Sequence, residues 1–207
     1  MNVLAMDHQV EKQEPKTVIY LACFFVCYIS AALVTQVYSG TKPTLDGNPL
    51  DYFTGGALWI LSAICLLNGL ARTENIKKVA FWLMGSAALS VLAIDEYIGM
   101  HEASKTIVGD DDHIKVLLWA ATPIALFLIY KVLNAPRKIG LIFTAGWLIH
   151  STYLAADVGD GDYFTLPFAL TTLQWTEDIC ELLFVSTYLF AFMLMTAKEL
   201  QTNANRK

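Results

Sequence analysis

The sequence predicts an all-α protein, a polytopic membrane bundle of six transmembrane helices. Of its 207 residues, 56% are hydrophobic and only 16% are charged, whereas soluble domains carry about 25% charged residues. The mean hydropathy is +0.48. Apolar runs of about 20 residues recur with short connections, and that is the length a helix needs to cross a bilayer. The strands of a membrane β-barrel would instead alternate in polarity over about 10 residues.

Turn and polar segments separate the apolar runs. A polar segment of mixed charge precedes the first run, Pro43 and Gly47 follow it, and Pro136 lies between the fourth and fifth; Pro and Gly interrupt helices. The predicted spans are 18–38, 52–71, 79–100, 114–133, 139–156 and 170–196. The predicted organisation is a cytoplasmic tail at 1–16, one six-helix transmembrane domain at 17–197 and a second cytoplasmic tail at 198–207.

The positive charges are one-sided in this six-span arrangement. Of the 14 Lys and Arg residues, only Lys42, Lys105 and Lys115 lie in the connections or span ends on the other side. Because cytoplasmic loops are enriched in Lys and Arg, both termini are predicted to face the cytoplasm. The predicted location is the inner (plasma) membrane, which the chain crosses several times. No basic patch favours nucleic acid as a partner.

A cluster of ionisable residues closes the third span, in the stretch Ala93-Ile-Asp95-Glu96-Tyr-Ile-Gly-Met-His101-Glu102. At about 100° per residue, Asp95 and Glu102 fall within roughly 20° of each other on a helix, while Glu96 and His101 point to either side. Charged groups at membrane depth cost about 2.5 to 3.5 kcal/mol each on insertion scales, so they persist mainly where they pair, bind an ion or line water. This stretch therefore predicts a site.

Two further spans place polar groups at similar depth. The fifth span carries His150, and the sixth begins with Gln174, Glu177, Asp178 and Glu181. The two glutamates are about 40° apart on a helix and share a face with Gln174, whereas Asp178 lies to the side. Three spans thus bring polar groups to the middle and outer part of the membrane.

These motifs are similar to those of a group of uncharacterised bacterial polytopic membrane proteins. The recurring pattern of that group is DE-x(4)-HE, present here as Asp95-Glu96 and His101-Glu102, followed near the end by an acidic E-E-x-x-E-like span. The last span here has Glu177-Asp178 in place of two glutamates, which keeps both carboxylates. The resemblance covers the third to sixth spans and implies a shared site, without naming an activity.

No Lys or Arg lies inside the polar clusters, so the carboxylates need another counter-charge. We expect one or two divalent metals, and the mixture of nitrogen and oxygen ligands suits zinc, iron or manganese. The predicted metal ligands are Asp95, His101, Glu102, His150, Glu177 and Glu181. The predicted supporting or alternative ligands are Glu96 and Asp178. The alternatives are protonated carboxylates in a transport path and purely structural hydrogen bonding. A haem between two histidines, His101 and His150, ranks lower because carboxylates fit poorly beside an apolar porphyrin.

The predicted function is that of a membrane-embedded metalloenzyme with its site near the outer face. A bound metal with open coordination positions supports hydrolysis of a lipid-like substrate or, with iron, oxidation. Glu177 and Glu102 are the candidate general bases. The competing prediction is a proton-coupled or cation transporter that uses the same carboxylates. Membrane lipids are the expected partners, and the sequence does not define an oligomeric state.

Overall fold

The computed structural model describes residues 3–41, 48–71, 75–98, 112–133, 135–158 and 170–204, and within these ranges the chain forms six helices and no strand. They are α1 (Val3–Ser39), α2 (Pro49–Leu70), α3 (Ile76–Ile98), α4 (Asp112–Leu133), α5 (Arg137–Val158) and α6 (Leu170–Ala204). The prediction of an all-α bundle is confirmed.

Five of these helices contain a stretch long and apolar enough to cross a membrane. The stretches are Lys16–Ser39, Pro49–Leu70, Ile76–Ile98, Arg137–Asp157 and Thr171–Lys198. The apolar part of α4, Trp119–Leu133, is shorter, although α4 as a whole has 22 residues, or about 33 Å at 1.5 Å per residue. The chain is a polytopic helical membrane protein.

Several helix ends differ from the predicted span ends. Helix α1 begins at Val3 and α6 continues to Ala204, so both predicted tails are largely helical. Helix α2 begins three residues earlier than predicted, because the Asn48-Pro49 pair starts a helix here. The Asn48 side chain caps the helix with a capping box that includes Asp51, and Pro49 occupies the first turn, where its missing N–H costs nothing.

The directions of the helices follow from contacts at the two ends of α2. Near its start, Asn48 donates a hydrogen bond from Nδ2 to Oδ2 of Asp178 in α6 (3.3 Å). Near its end, Asn68 donates from Nδ2 to the hydroxyl of Thr196 in α6 (2.8 Å). Helices α2 and α6 therefore run in the same direction. Asn68 thus links α2 to α6 through a hydrogen bond.

Helix α3 runs antiparallel to α2 and is held by small residues. The Ser62 hydroxyl donates to the backbone oxygen of Ser86 (2.9 Å) and lies 2.7 Å from the Ser90 hydroxyl. Towards the other end, a Cβ atom at Gly55 would lie 3.1 Å from Cβ of Glu96 and 3.0 Å from the Tyr97 ring. Small residues allow helices to approach closely in membranes, and here Gly55 brings Glu96 against α2.

Helix α5 runs antiparallel to α6 along an aromatic contact. From one end to the other, Phe143 packs on Phe192 with ring centroids 5.1 Å apart, Gly146 lies under Tyr188 and His150 stacks on Phe184. Helix α1 packs on the outside, where Phe25 contacts Phe190 of α6 and Tyr28 donates a hydrogen bond to the Phe53 backbone oxygen of α2.

We expect Gly146→Leu to destabilise the bundle, because a Cβ atom at Gly146 would lie 2.6 and 2.9 Å from ring carbons of Tyr188. Overpacking of this kind costs about 1 to 3 kcal/mol. Thermal unfolding in detergent measures the effect. Gly140→Leu on the same helix is the matched control, since a Cβ atom at Gly140 meets nothing within 4 Å. Equal melting temperatures for the two variants would contradict the contact.

Candidate functional site

Acidic side chains from four helices gather at one end of the bundle. This end is formed by the starts of α2 and α6 and by the ends of α3 and α5, as the helix directions require. The described acidic residues near it are Asp51, Asp95, Glu96, Asp157, Glu177, Asp178 and Glu181. Apart from Asp95, these residues are called the carboxylate cluster below.

Glu181 is at the centre of the carboxylate cluster. Its carboxyl group interacts electrostatically with Glu96 most strongly, and then with Glu177, Asp51 and Asp178. These groups come from α2, α3 and α6. Every described charge that acts on Glu181 is thus acidic, in a region where charge is expensive unless it is compensated.

One buried amide joins two members of the carboxylate cluster. Asn48 is only 3% exposed, and its Nδ2 donates to Oδ1 of Asp51 at 2.9 Å and to Oδ2 of Asp178 at 3.3 Å. Its Oδ1 accepts from the backbone N–H groups of Leu50 (2.7 Å) and Asp51 (3.3 Å). Asn48 therefore fixes the position of Asp178 relative to the start of α2.

Tyr153 of α5 forms the aromatic floor of the carboxylate cluster. It is 7% exposed and interacts electrostatically with Glu181, Asp157, Glu177 and Glu96. Its ring lies 5.6 Å from the ring of Phe184. The phenol O–H of a tyrosine can donate one hydrogen bond.

His150 lies one helical turn below Tyr153, on the same face of α5. Its ring stacks on Phe184 with centroids 4.3 Å apart and an interplanar angle of 17°, and it lies 5.8 Å from the Tyr153 ring. It is 8% exposed, and its Nδ1 is buried without a hydrogen-bond partner in the described part of the chain. A buried ring nitrogen normally has a partner.

The structure brings some of the predicted site residues together. Glu96, Glu177 and Asp178 all interact electrostatically with Glu181, Glu96 most strongly and Asp178 least, so one of the two predicted supporting residues acts on Glu181 more strongly than the predicted ligand Glu177 does. Asp95 is the neighbour of Glu96 on α3 and is partly buried. His101 and Glu102 lie outside the described residues.

The described part of the chain holds no group of three or more His, Cys, Asp or Glu side chains arranged to bind a metal ion. Because His101 and Glu102 are outside the described ranges, the six-ligand set stays a prediction.

The family model of a domain of unknown function, DUF8692, matches residues 52–196. The chain belongs to the DUF8692 family. The match covers more than half of the chain, including every residue predicted for the site. No curated protein and no solved structure matches the chain.

Four residues of this site are not among the residues predicted from the sequence. Asn48 and Asp51 precede the predicted second span, although Asn-Pro followed by an acidic residue is typical of a helix start. Tyr153 and Asp157 are three and seven residues after His150 and therefore share its helix face. That spacing was the signal that could have identified them.

Proposed function

We propose that this DUF8692 protein binds one or two divalent metal ions at the carboxylate cluster and acts as a membrane-embedded metalloenzyme on a lipid-like substrate. The observation that carries the proposal is the surroundings of Glu181, whose described charged neighbours, Glu96, Glu177, Asp51 and Asp178, are all acidic. Like charges at membrane depth repel each other, and a cation removes that cost.

The role that we propose for each residue at the metal site follows from its surroundings. Glu181 and Glu177 are the proposed central ligands, and Glu96, which acts most strongly on Glu181, is proposed to join them when metal binds. Asp178 is oriented by Asn48 and supports the site. Asp95, His101 and Glu102 remain proposed ligands from the sequence motif, and His150 remains one from its position inside the fifth predicted span.

The chemistry follows from the ligand types. Carboxylates with histidine suit zinc, iron or manganese, and such a metal supplies a Lewis acid and an activated water. Glu177 or Glu102 would then accept the proton from that water, and Tyr153 could hydrogen bond to substrate oxygens. Hydrolysis is the favoured reaction class, and oxidation follows if the metal is iron.

Transport is the second candidate, because hydroxyl groups continue from Glu96 into the bundle. Ser90 lies about 9 Å below Glu96 along α3 at 1.5 Å per residue and contacts Ser62. Further along, however, Trp82 is 1% exposed and packs on Phe192 with centroids 5.5 Å apart. This apolar layer ends the series of hydroxyl groups that leads from Glu96. The interruption favours a site that opens to one side of the membrane only.

Metal analysis of the purified protein tests the proposal. We expect stoichiometric zinc, iron or manganese in the wild type and its loss in the variant with both His150→Ala and Glu177→Ala. Metal-free wild type of normal stability would refute the site. Metal-dependent lipid turnover without ion flux in proteoliposomes would support an enzyme, whereas flux that disappears in Glu181→Gln would support the transporter.

We propose the plasma membrane as the location, with both termini in the cytoplasm. The proposal is supported by six described cations at the helix ends away from the carboxylate cluster, Lys77, Lys78, Lys131, Arg137, Lys138 and Lys198, against one, Lys115, near the helix start at the cluster end. Reporter fusions after Lys42 and after Asp112 should behave as non-cytoplasmic, because positive loops remain inside. Cytoplasmic signals from both fusions would reverse the orientation.

A further inference from the structure

A groove lies between α4 and α5, at the end of the bundle opposite to the carboxylate cluster. It has a volume of about 390 Å³ and lies where the last turns of α4 meet the first turns of α5. This is within the range of sites that hold small ligands, about 300 to 1,000 Å³. It shares no lining residue with the proposed metal site.

The groove is apolar along its length and polar at one end. Phe127 and Leu141 form its walls and are 58% and 63% exposed, so the groove opens towards the outside of the bundle. Phe143 is buried and contributes to the floor. Tyr130 and Arg137 line the polar end, near the ends of their helices. Such a lining fits a molecule with an apolar chain and a polar head.

The polar end is strongly positive. Arg137 is accompanied by Lys138 and by Lys131, whose Nζ lies 5.8 Å from the centroid of the Phe127 ring. From residue 115 to residue 156 the sequence contains no Asp or Glu, so α4 and α5 carry no acidic residue near this end. The polar head should therefore be an anion.

The backbone adds to this preference. The Gly140 N–H donates to the Pro136 carbonyl (3.1 Å), so α5 begins at Arg137 and its first backbone N–H groups lack partners within the helix. A helix N-terminus attracts phosphate. The Thr144 hydroxyl, by contrast, is engaged with the Gly140 carbonyl at 3.0 Å.

We propose that this groove binds one anionic phospholipid. An acyl chain lies between Phe127 and Leu141, and the phosphate meets Arg137, Tyr130 and the start of α5. Basic recesses between transmembrane helices on the cytoplasmic side bind anionic headgroups by the same physics. The site is independent of the metal proposed at the carboxylate cluster.

Native mass spectrometry of the full chain, released from mild detergent, tests whether the groove prefers an anionic headgroup. The probes are phosphatidylglycerol and phosphatidylcholine with identical acyl chains. We expect wild type to retain phosphatidylglycerol preferentially and Arg137→Gln to weaken that binding about fivefold, the effect of one cation near an anionic lipid. Lys77→Gln is the charge-matched control, because Lys77 lies at the start of α3 and does not line the groove.

Substitutions at Gly140 test the binding of the acyl chain separately from that of the headgroup. It lines the groove, and a Cβ atom there meets nothing within 4 Å, so Gly140→Leu should fold normally and fill the space. We expect it to lose both lipids at least about fivefold, while Gly140→Ala loses less. Equal losses in Arg137→Gln and Lys77→Gln, or full lipid retention in Gly140→Leu, would overturn the proposal. A dimer that Gly140→Leu abolishes, with no bound lipid, would also overturn it, by assigning the groove to a second copy of the chain.

Discussion

We expect Glu181→Gln to remove most of the stabilisation that the proposed divalent metal would give this protein. The substitution deletes the charge on which Glu96, Glu177, Asp51 and Asp178 all act, while the shape of the side chain is kept. Even residues that only support a ligand change metal affinity by about 10- to 100-fold, so loss of a central ligand should exceed that range. A metal at 100 times its Kd stabilises a protein by about 2.7 kcal/mol, and this gain should disappear.

The metal-free protein should respond in the opposite direction. With one fewer acidic group among the four helices, Glu181→Gln should unfold no earlier than wild type when a chelator is present. Thermal melts with and without zinc, iron or manganese give the stabilisation by metal and the melting temperature of the metal-free protein. Glu199→Gln is the same substitution towards the other end of α6. It should change neither the stabilisation by metal nor the melting temperature of the metal-free protein. A full metal-dependent shift in Glu181→Gln would remove Glu181 from the site.

Substitutions at His150 should separate packing from metal binding. His150→Ala removes a ring that is stacked on Phe184 and buried, and the resulting cavity should cost about 3 kcal/mol. His150→Phe keeps a flat ring against Phe184 and removes the buried Nδ1 that has no partner among the described residues. It should therefore unfold close to wild type in the absence of metal.

Metal content distinguishes the two roles of the histidine. If His150 is a ligand, both variants lose metal, and His150→Phe does so without a loss of fold. Phe143→Leu, lower on the same contact between α5 and α6, should reduce stability without changing metal content. Metal retained at wild-type stoichiometry in His150→Phe would make His150 a packing residue only.

The sequence was sufficient for the helices because their signal is local. Runs of apolar residues set the spans, and the spacing of Glu177 and Glu181 correctly put them on one face. The start of α2 was harder to predict, because Asn48-Pro49 fits both a turn and a capped helix. The structure shows the capping box with Asp51 and also a contact with Asp178, which joins residues far apart in the chain and is therefore absent from the local sequence.

The rotation of α3 could not be predicted for a similar reason. Asp95 and Glu96 are adjacent and point about 100° apart, and the sequence favoured Asp95 because it shares a face with Glu102. In the structure Glu96 is the residue against α2, where Gly55 leaves no room for a larger side chain. The rotation of a helix depends on its neighbours, which local periodicity does not contain.

The alternating directions of the helices create an uneven backbone field across the carboxylate cluster. Asp51 lies in the first turn of α2, at the positive end of that helix dipole, whereas Glu96 and Asp157 lie in the last turns of α3 and α5. A helix end of that kind carries about half a negative charge and carbonyl groups without intrahelical partners. We therefore expect a bound cation to lie off-centre, on the α3 and α5 side, where main-chain oxygens reinforce the carboxylates.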